Sequence, residues 1–146
     1  MQRHRQQGFT LLEIMVVIVI LGVLASLVIP NLLGNKDKAD QQKAITDISV
    51  LEQALDMYKL DNSVHPTTDQ GLEALIKKPH SSPKPISYRE GGYIKRLPQD
   101  PWGNDYQFLN PGEHSIIDIF TLGADHQEGG GGINQDIGNW NMMDIR

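Results

Sequence analysis

The chain has no cysteine, so no disulfide staples it, although a small exported domain often relies on one. Aromatic residues are scarce at 6%, and lysine and arginine (13) are outnumbered by aspartate and glutamate (18), for a net charge of −5. No basic cluster with interleaved aromatics is present, which argues against a nucleic-acid partner. Several catalytic patterns are missing too. There is no HExxH pair, no Gly-x-Ser-x-Gly elbow around Ser81 or Ser82, and no Walker or dinucleotide glycine pattern. His65, His80, His114 and His126 are scattered without a carboxylate at ligand spacing and read as surface histidines. Trp102 and Trp140 read as packing residues rather than a binding platform. Nothing in these patterns argues for catalysis.

What the chain does have is concentrated at its beginning. Arg3-His4-Arg5-Gln6-Gln7-Gly8-Phe9-Thr10-Leu11-Leu12-Glu13 leads into an apolar run that continues to Ile29. The run 9–29 is long enough for a membrane helix, which needs about 20 residues. Glu13 is the exception within it. A carboxylate in such a segment costs a few kcal/mol, roughly, unless it finds a partner or reaches the headgroups. A secretory signal peptide would have a shorter apolar core and a small-x-small cleavage site. Leu24-Ala25-Ser26, followed by Val28-Ile29-Pro30, is a poor match. A plain signal anchor fits better, with Arg3 and Arg5 on the cytoplasmic side.

Beyond the run, Pro30 and Gly34 predict a kink or local melting of the helix. The pattern resumes at Lys36. Ile45, Ile48, Leu51, Leu55 and Tyr58 recur at steps of three and four, so one helical face is apolar to about Leu60. Lys36, Asp40, Lys43, Asp47, Glu52 and Asp56 lie mostly elsewhere, and the stripe reads as a core face. Asn62-Ser63 ends this spine. Thr67-Thr68-Asp69-Gln70 has capping-box spacing for a short helix through Leu72, Leu75 and Ile76. Lys77–Pro85 is polar and proline-rich, hence loop. Tyr93-Ile94 and Tyr106–Leu109 flank a Pro101-Trp102-Gly103 turn, and Asn110-Pro111-Gly112 precedes Ile116–Phe120, which reads as a buried central strand. Together these segments predict a small antiparallel sheet laid on the spine.

Near the C-terminus, Leu122-Gly123-Ala124-Asp125 opens a glycine-rich loop that runs to Asp136. Hard cations such as Ca²⁺ take six to eight oxygens, from carboxylates and from carbonyls aimed by tight glycine turns. EF-hand spacing is absent, and Gly129–Gly132 matches the calcium-binding nonapeptide only loosely. From the residues alone, a solvated turn-rich loop and a cation site both stay open.

Gly8-Phe9-Thr10-Leu11-Leu12-Glu13 resembles the processing signature of type IV pilins and pseudopilins. Further stretches resemble the major pseudopilins of type II secretion systems: Pro30-Asn31-Leu32, Asn35-Lys36, Ala39-Asp40, Leu55–Asn62, Leu97–Gly103 and Asp136–Trp140. The likeness covers essentially the whole chain; Pro79–Ser87 and the tail after Trp140 are unremarkable. It implies a type IV pilin-like α+β fold: a long N-terminal helix, half membrane anchor and half spine (about 36–61), on a small antiparallel sheet with a metal-binding C-terminal loop. Residues 1–8 would be a basic leader, 9–29 the transmembrane and assembly helix, and 30–146 the periplasmic domain.

The resemblance also implies a function without catalysis. A prepilin peptidase would cut between Gly8 and Phe9 and methylate the new amine of Phe9. The chain would then leave the inner membrane and polymerise into a helical pseudopilus that drives folded proteins across the outer membrane. Glu13 would set register by pairing with a neighbour's Phe9 amine. Calcium would be held by Asp125, Asp136 and the carbonyl of Leu122. Gln135 departs from the acidic residue common there, and Glu128 has no motif behind it. Implied partners are further copies of the chain, minor pseudopilins, the peptidase, the inner-membrane assembly platform with its cytoplasmic ATPase, and lipid before assembly. A type IV pilin for adhesion or motility is the near alternative, though many of those close this loop with a cysteine pair. A signal-anchored periplasmic enzyme or binding protein has no use for Gly8 before Phe9.

Overall fold

The computed structural model describes residues 8–145, except for the side chains of residues 27–33. The expected leader, with Arg3 and Arg5, therefore lies almost wholly outside the described residues. One helix dominates the rest. α1 spans Leu11–Asn62 and is followed by a 3₁₀ turn at Leu72–Leu75. Three short strands complete the chain: β1 (Gln107–Leu109), β2 (Asp118–Thr121) and β3 (Ile137–Gly138). The chain divides into two units at Lys36.

In the first unit, the N-terminal part of α1 is exposed along every described residue. Its start is set by Thr10, whose Oγ1 accepts the Glu13 N–H at 3.2 Å. That bond satisfies one of the amides that a helix start leaves without an intrahelical partner. Pro30 and Gly34 do not interrupt the helix, contrary to the melting expected there. A mid-helix proline removes one backbone bond, and the ladder on either side carries the helix across. Among the described residues no helix is long and apolar enough to cross a membrane. The expected span 9–29 includes residues 27–29, whose side chains lie outside the description.

In the second unit, the predicted stripe is the core. Ala44, Ile48, Leu51, Ala54, Leu55 and Tyr58 are buried, and Ile45 is half-buried against them. Fully burying a side chain of leucine or isoleucine size contributes roughly 1.5–3 kcal/mol, so this face dominates the unit's stability. The same cluster contains Leu72 and Leu75 from the 3₁₀ turn and Phe108, Ile119 and Ile137 from the sheet. α1 ends at Asn62, with Ser63 at φ 66° and its N–H on the Lys59 carbonyl. Asn62 is buried and donates to the Tyr58 carbonyl and the Tyr93 hydroxyl, while its Oδ1 accepts the Ser87 N–H.

The capping box at 67–70 forms as predicted. Thr67 N–H donates to Gln70 Oε1 (3.1 Å), and Gln70 N–H to Thr67 Oγ1 (3.2 Å). An α-helix does not follow. Gly71 adopts φ 60° and ψ −169°, far from helical values, so the chain restarts as a single 3₁₀ turn. Gln70 Nε2 then holds the polar loop through the carbonyls of Ser81 and Pro83.

The sheet is antiparallel in the order β1-β2-β3, with Phe108 opposite Ile119 and Thr121 opposite Ile137. Tyr93-Ile94 does not join it. The positive φ of Gly91 and Gly92 turns the chain there, and the Tyr93 and Ile94 amides instead reach the Leu75 carbonyl. β2 is the buried centre, as expected, but it begins at Asp118, and Ile116 is exposed. The reason is the Asp118 side chain. Its two oxygens accept the N–H groups of Glu113, His114 and Ser115 at 2.7–2.9 Å, which holds those residues in a turn.

Burial alone would raise the pKa of Asp118. The amides of His114, Ser115 and Glu113, with the His114 ring, outweigh it and leave the carboxyl below the usual carboxylate range. A depressed carboxylate pKa contributes stability above the unfolded value of about 3.9, and that contribution disappears as pH falls through the folded pKa. Asp118→Asn should therefore cost on the order of 1.5–3 kcal/mol near neutral pH. The difference from the wild type should shrink below about pH 4, as measured by denaturant unfolding across pH.

Candidate assembly and metal sites

Gly8, Phe9 and Thr10 precede α1 without regular secondary structure. Phe9 is 79% exposed, and no atom beyond its chain neighbours lies within 4 Å of a Cβ built on Gly8. The junction is therefore open to an approaching protein. Glu13 sits in the first turn, where a negative charge complements the helix dipole. Its carboxylate has no ion-pair partner among the described residues, which leaves it available to a cation from outside the chain. Thr10 was not singled out from sequence, yet Thr10-x-x-Glu13 is a capping-box signature and could have revealed the helix start.

The C-terminal loop is held by its backbone. The Ala124 N–H donates to the Ile133 carbonyl at 2.9 Å, and Gln41 Nε2 on α1 donates to the Gly132 carbonyl at 2.8 Å. Gly123 has φ 69°, and a Cβ there would lie 2.7 Å from the Asn134 carbonyl carbon. Only glycine fits that approach. Asp125 Oδ1 accepts the Gln127 N–H at 3.2 Å and closes the turn after Ala124.

Asp136 is placed differently. Its Oδ2 accepts the Gly129 N–H at 2.8 Å, whereas Oδ1 is buried and has no hydrogen-bond partner. Leu122, Glu128 and Asp136 line one cavity of about 260 Å³, together with Glu113, His114 and Asp118. Asp125 does not line it. Among the described residues no three histidine, cysteine or acidic side chains converge to hold a metal. A calcium site drawing largely on main-chain carbonyls needs no such trio, and an orphaned buried carboxylate oxygen fits one.

Both tryptophans pack, as expected. Trp102 is half-buried against the core. Trp140 stacks on His114 at 4.0 Å between ring centroids and lies against Phe120. Asp100 was not foreseen. It is buried, accepts the Trp102 and Asn104 amides at 3.0 and 2.8 Å, and takes a hydrogen bond from the Thr121 hydroxyl. An aspartate just before Pro-Trp-Gly is the local signal for such a turn.

A helix spine carrying a small antiparallel sheet, with an exposed apolar head, defines the pseudopilin class. The crystal structure of the major pseudopilin from the type 2 secretion system of enterohaemorrhagic Escherichia coli shares this fold over the matched part of the chain. That chain is similar at a TM-score of 0.68 and 59% identity, over 77% of this chain and 96% of that one. Residues 31–140 match the family of type II secretion system protein G, and residues 3–29 match the prokaryotic N-terminal methylation motif. Type II secretion system core protein G of Vibrio cholerae is 73% identical over 143 residues, 98% of this chain and 97% of that protein. Its counterpart in Aeromonas hydrophila is 67% identical over the full length of both. The chain belongs to the type II secretion system protein G family, and it is a structural subunit of the pseudopilus.

Proposed function

We propose that this subunit is cut between Gly8 and Phe9, methylated at Phe9 and held in the inner membrane by a single pass before it polymerises. Its second unit, Asp37–Arg146, then lies in the periplasm, and the chain catalyses no reaction. The observation that carries this reading is the exposed apolar surface of α1. Leu11, Leu12, Ile18, Val19, Leu21, Val23 and Leu24 are each more than half exposed in the single chain. A continuous apolar surface of that length does not stay in water; lipid covers it first and neighbouring subunits afterwards. The processing peptidase, the minor pseudopilins and an assembly platform driven by a cytoplasmic ATPase are the partners this pathway requires.

Glu13 then has a role that needs no chemistry. Cutting after Gly8 creates a cationic amine at Phe9, and the Glu13 carboxylate of another copy pairs with it in a low-dielectric bundle. The pair sets the axial offset between subunits, because a displaced register would leave two charges unpaired among apolar helices.

Calcium completes the reading at the other end. Asp136 Oδ1 and the Leu122 carbonyl, whose residues line one cavity, would hold it, with the Asp125 carboxylate turning in from outside that cavity, and bound calcium would supply the crosslink that a disulfide cannot. The orphaned Asp136 oxygen supports this.

Mass analysis of the mature protein should show a chain beginning at N-methyl-Phe9, and an intact leader would sink the processing step. Glu13→Ala should still be cleaved but yield few fibres by electron microscopy, whereas normal yield would remove its role in register. EDTA should lower the thermal midpoint of the full chain in detergent micelles. Asp136→Asn should already melt at that lower midpoint and be indifferent to EDTA; an indifferent wild type ends the calcium assignment.

A further inference from the structure

Asn141 lies in the tail after Trp140, where the sequence carries no motif. In the fold its side chain bridges two backbone groups at β3. Nδ2 donates to the Asp136 carbonyl at 3.0 Å, and Oδ1 accepts the Gly138 N–H at 2.9 Å. The Asn141 N–H donates to the Gly138 carbonyl at 3.1 Å, so the turn that carries Asn141 closes on the same strand. A Cβ at Gly138 would collide with the Trp140 ring, so only glycine fits that turn. Asp136 is thereby gripped at two points. Asn141 holds its backbone, and the Gly129 N–H holds Oδ2 at 2.8 Å. Oδ1 is left buried with no hydrogen-bond partner. Asn141 itself is half-buried and does not line the cavity that Asp136 shares with Leu122.

We propose that Asn141 is a positioning residue for calcium binding: by holding the Asp136 backbone it aims Oδ1 at the ion without touching the ion itself. The inference rests on the calcium assignment above.

A carboxylate binds best when its open oxygen is already aimed, because freedom lost on binding is subtracted from affinity. The two oxygens of Asp136 move as one plane, so the Gly129 contact restrains Oδ1 only if the backbone behind it is also fixed. β3 does not reach far enough to do this. Its ladder pairs Ile137 and Gly138 alone, and Asp136 precedes it. The Asn141 amide extends the hold by that one residue, much as a further ladder rung would. Asparagine suits the task because its side chain both donates and accepts and adds no charge beside the site. It also decides which oxygen is presented. The Asp136 carbonyl already has a donor, whereas Oδ1 has none, so residue 136 offers its carboxylate to the loop. Groups that orient a metal ligand in this way are worth on the order of 10- to 100-fold in metal affinity.

The test titrates calcium into the full chain in detergent micelles by calorimetry and measures the thermal midpoint in EDTA and in calcium. Asn141→Ala should bind calcium at least about tenfold more weakly than the wild type, and its calcium-induced rise in midpoint should shrink. A merely structural asparagine would lower the midpoint equally in EDTA and in calcium and leave the affinity alone. Wild-type affinity in Asn141→Ala would therefore overturn the proposal, whatever its midpoint in EDTA, while the calcium assignment would stand. A wild type that binds no calcium would end that assignment and this role together. Should Asn141→Ala fail to fold, Asn141→Gln keeps both amide groups one methylene further out. It should likewise bind more weakly than the wild type, and equal affinity there would count against the proposal.

Discussion

Burial of one helical stripe is the constraint on which the second unit depends. Ala44, Ile48, Leu51, Leu55 and Tyr58 form a long buried apolar face, and among the described residues of that unit no other element is large enough to make a core alone. A strand of two residues and a 3₁₀ turn of four have no independent stability. They persist because Leu72, Leu75, Ile119 and Ile137 share a cluster with the stripe. The N-terminal part of the same helix carries apolar side chains that are exposed at every described residue. One element thus supplies both the scaffold of the domain and the exposed apolar head.

Without cysteine, the loops are organised by carboxylates and amides. Asp100 gathers two backbone N–H groups and the Thr121 hydroxyl, and Asp118 gathers three N–H groups. Asn62 ties the end of α1 to Ser87 and Tyr93. Each is a charge-assisted or buried hydrogen-bond set that fixes a turn much as a crosslink would, but it depends on burial and protonation rather than redox state. Asp136 belongs to the same group with one oxygen left over. That incomplete satisfaction separates a candidate metal ligand from a turn organiser, and residue type alone cannot make the distinction.

The helical spine, the capping box at Thr67–Gln70, the central strand and the N-terminal methylation motif were legible because each is a local pattern. Period, cap and motif all lie within a few residues of chain. The head also pointed to its class, since a basic leader, a Gly–Phe junction and an acidic residue at fixed spacing rarely coincide. Where local reading erred, a neighbouring residue had overruled the pattern. Gly71 stopped a helix that its cap had started, Gly91 and Gly92 diverted a candidate strand, and the Asp118 carboxylate held back the start of β2.

By itself, then, the sequence determined the spine, its buried face and the apolar head with its methylation motif, because 3.6-residue periodicity and contiguous motifs need no distant partner. Only the tertiary structure decided which polar groups have partners. Gln41 meets Gly132 across 91 residues, and Asn139 lies over Glu52 across 87. His65 and Asp136 look like any other surface residues until folding buries one nitrogen and one oxygen without a hydrogen bond. Contacts of that separation follow from how the loops close over the core, and no local pattern along the chain records it.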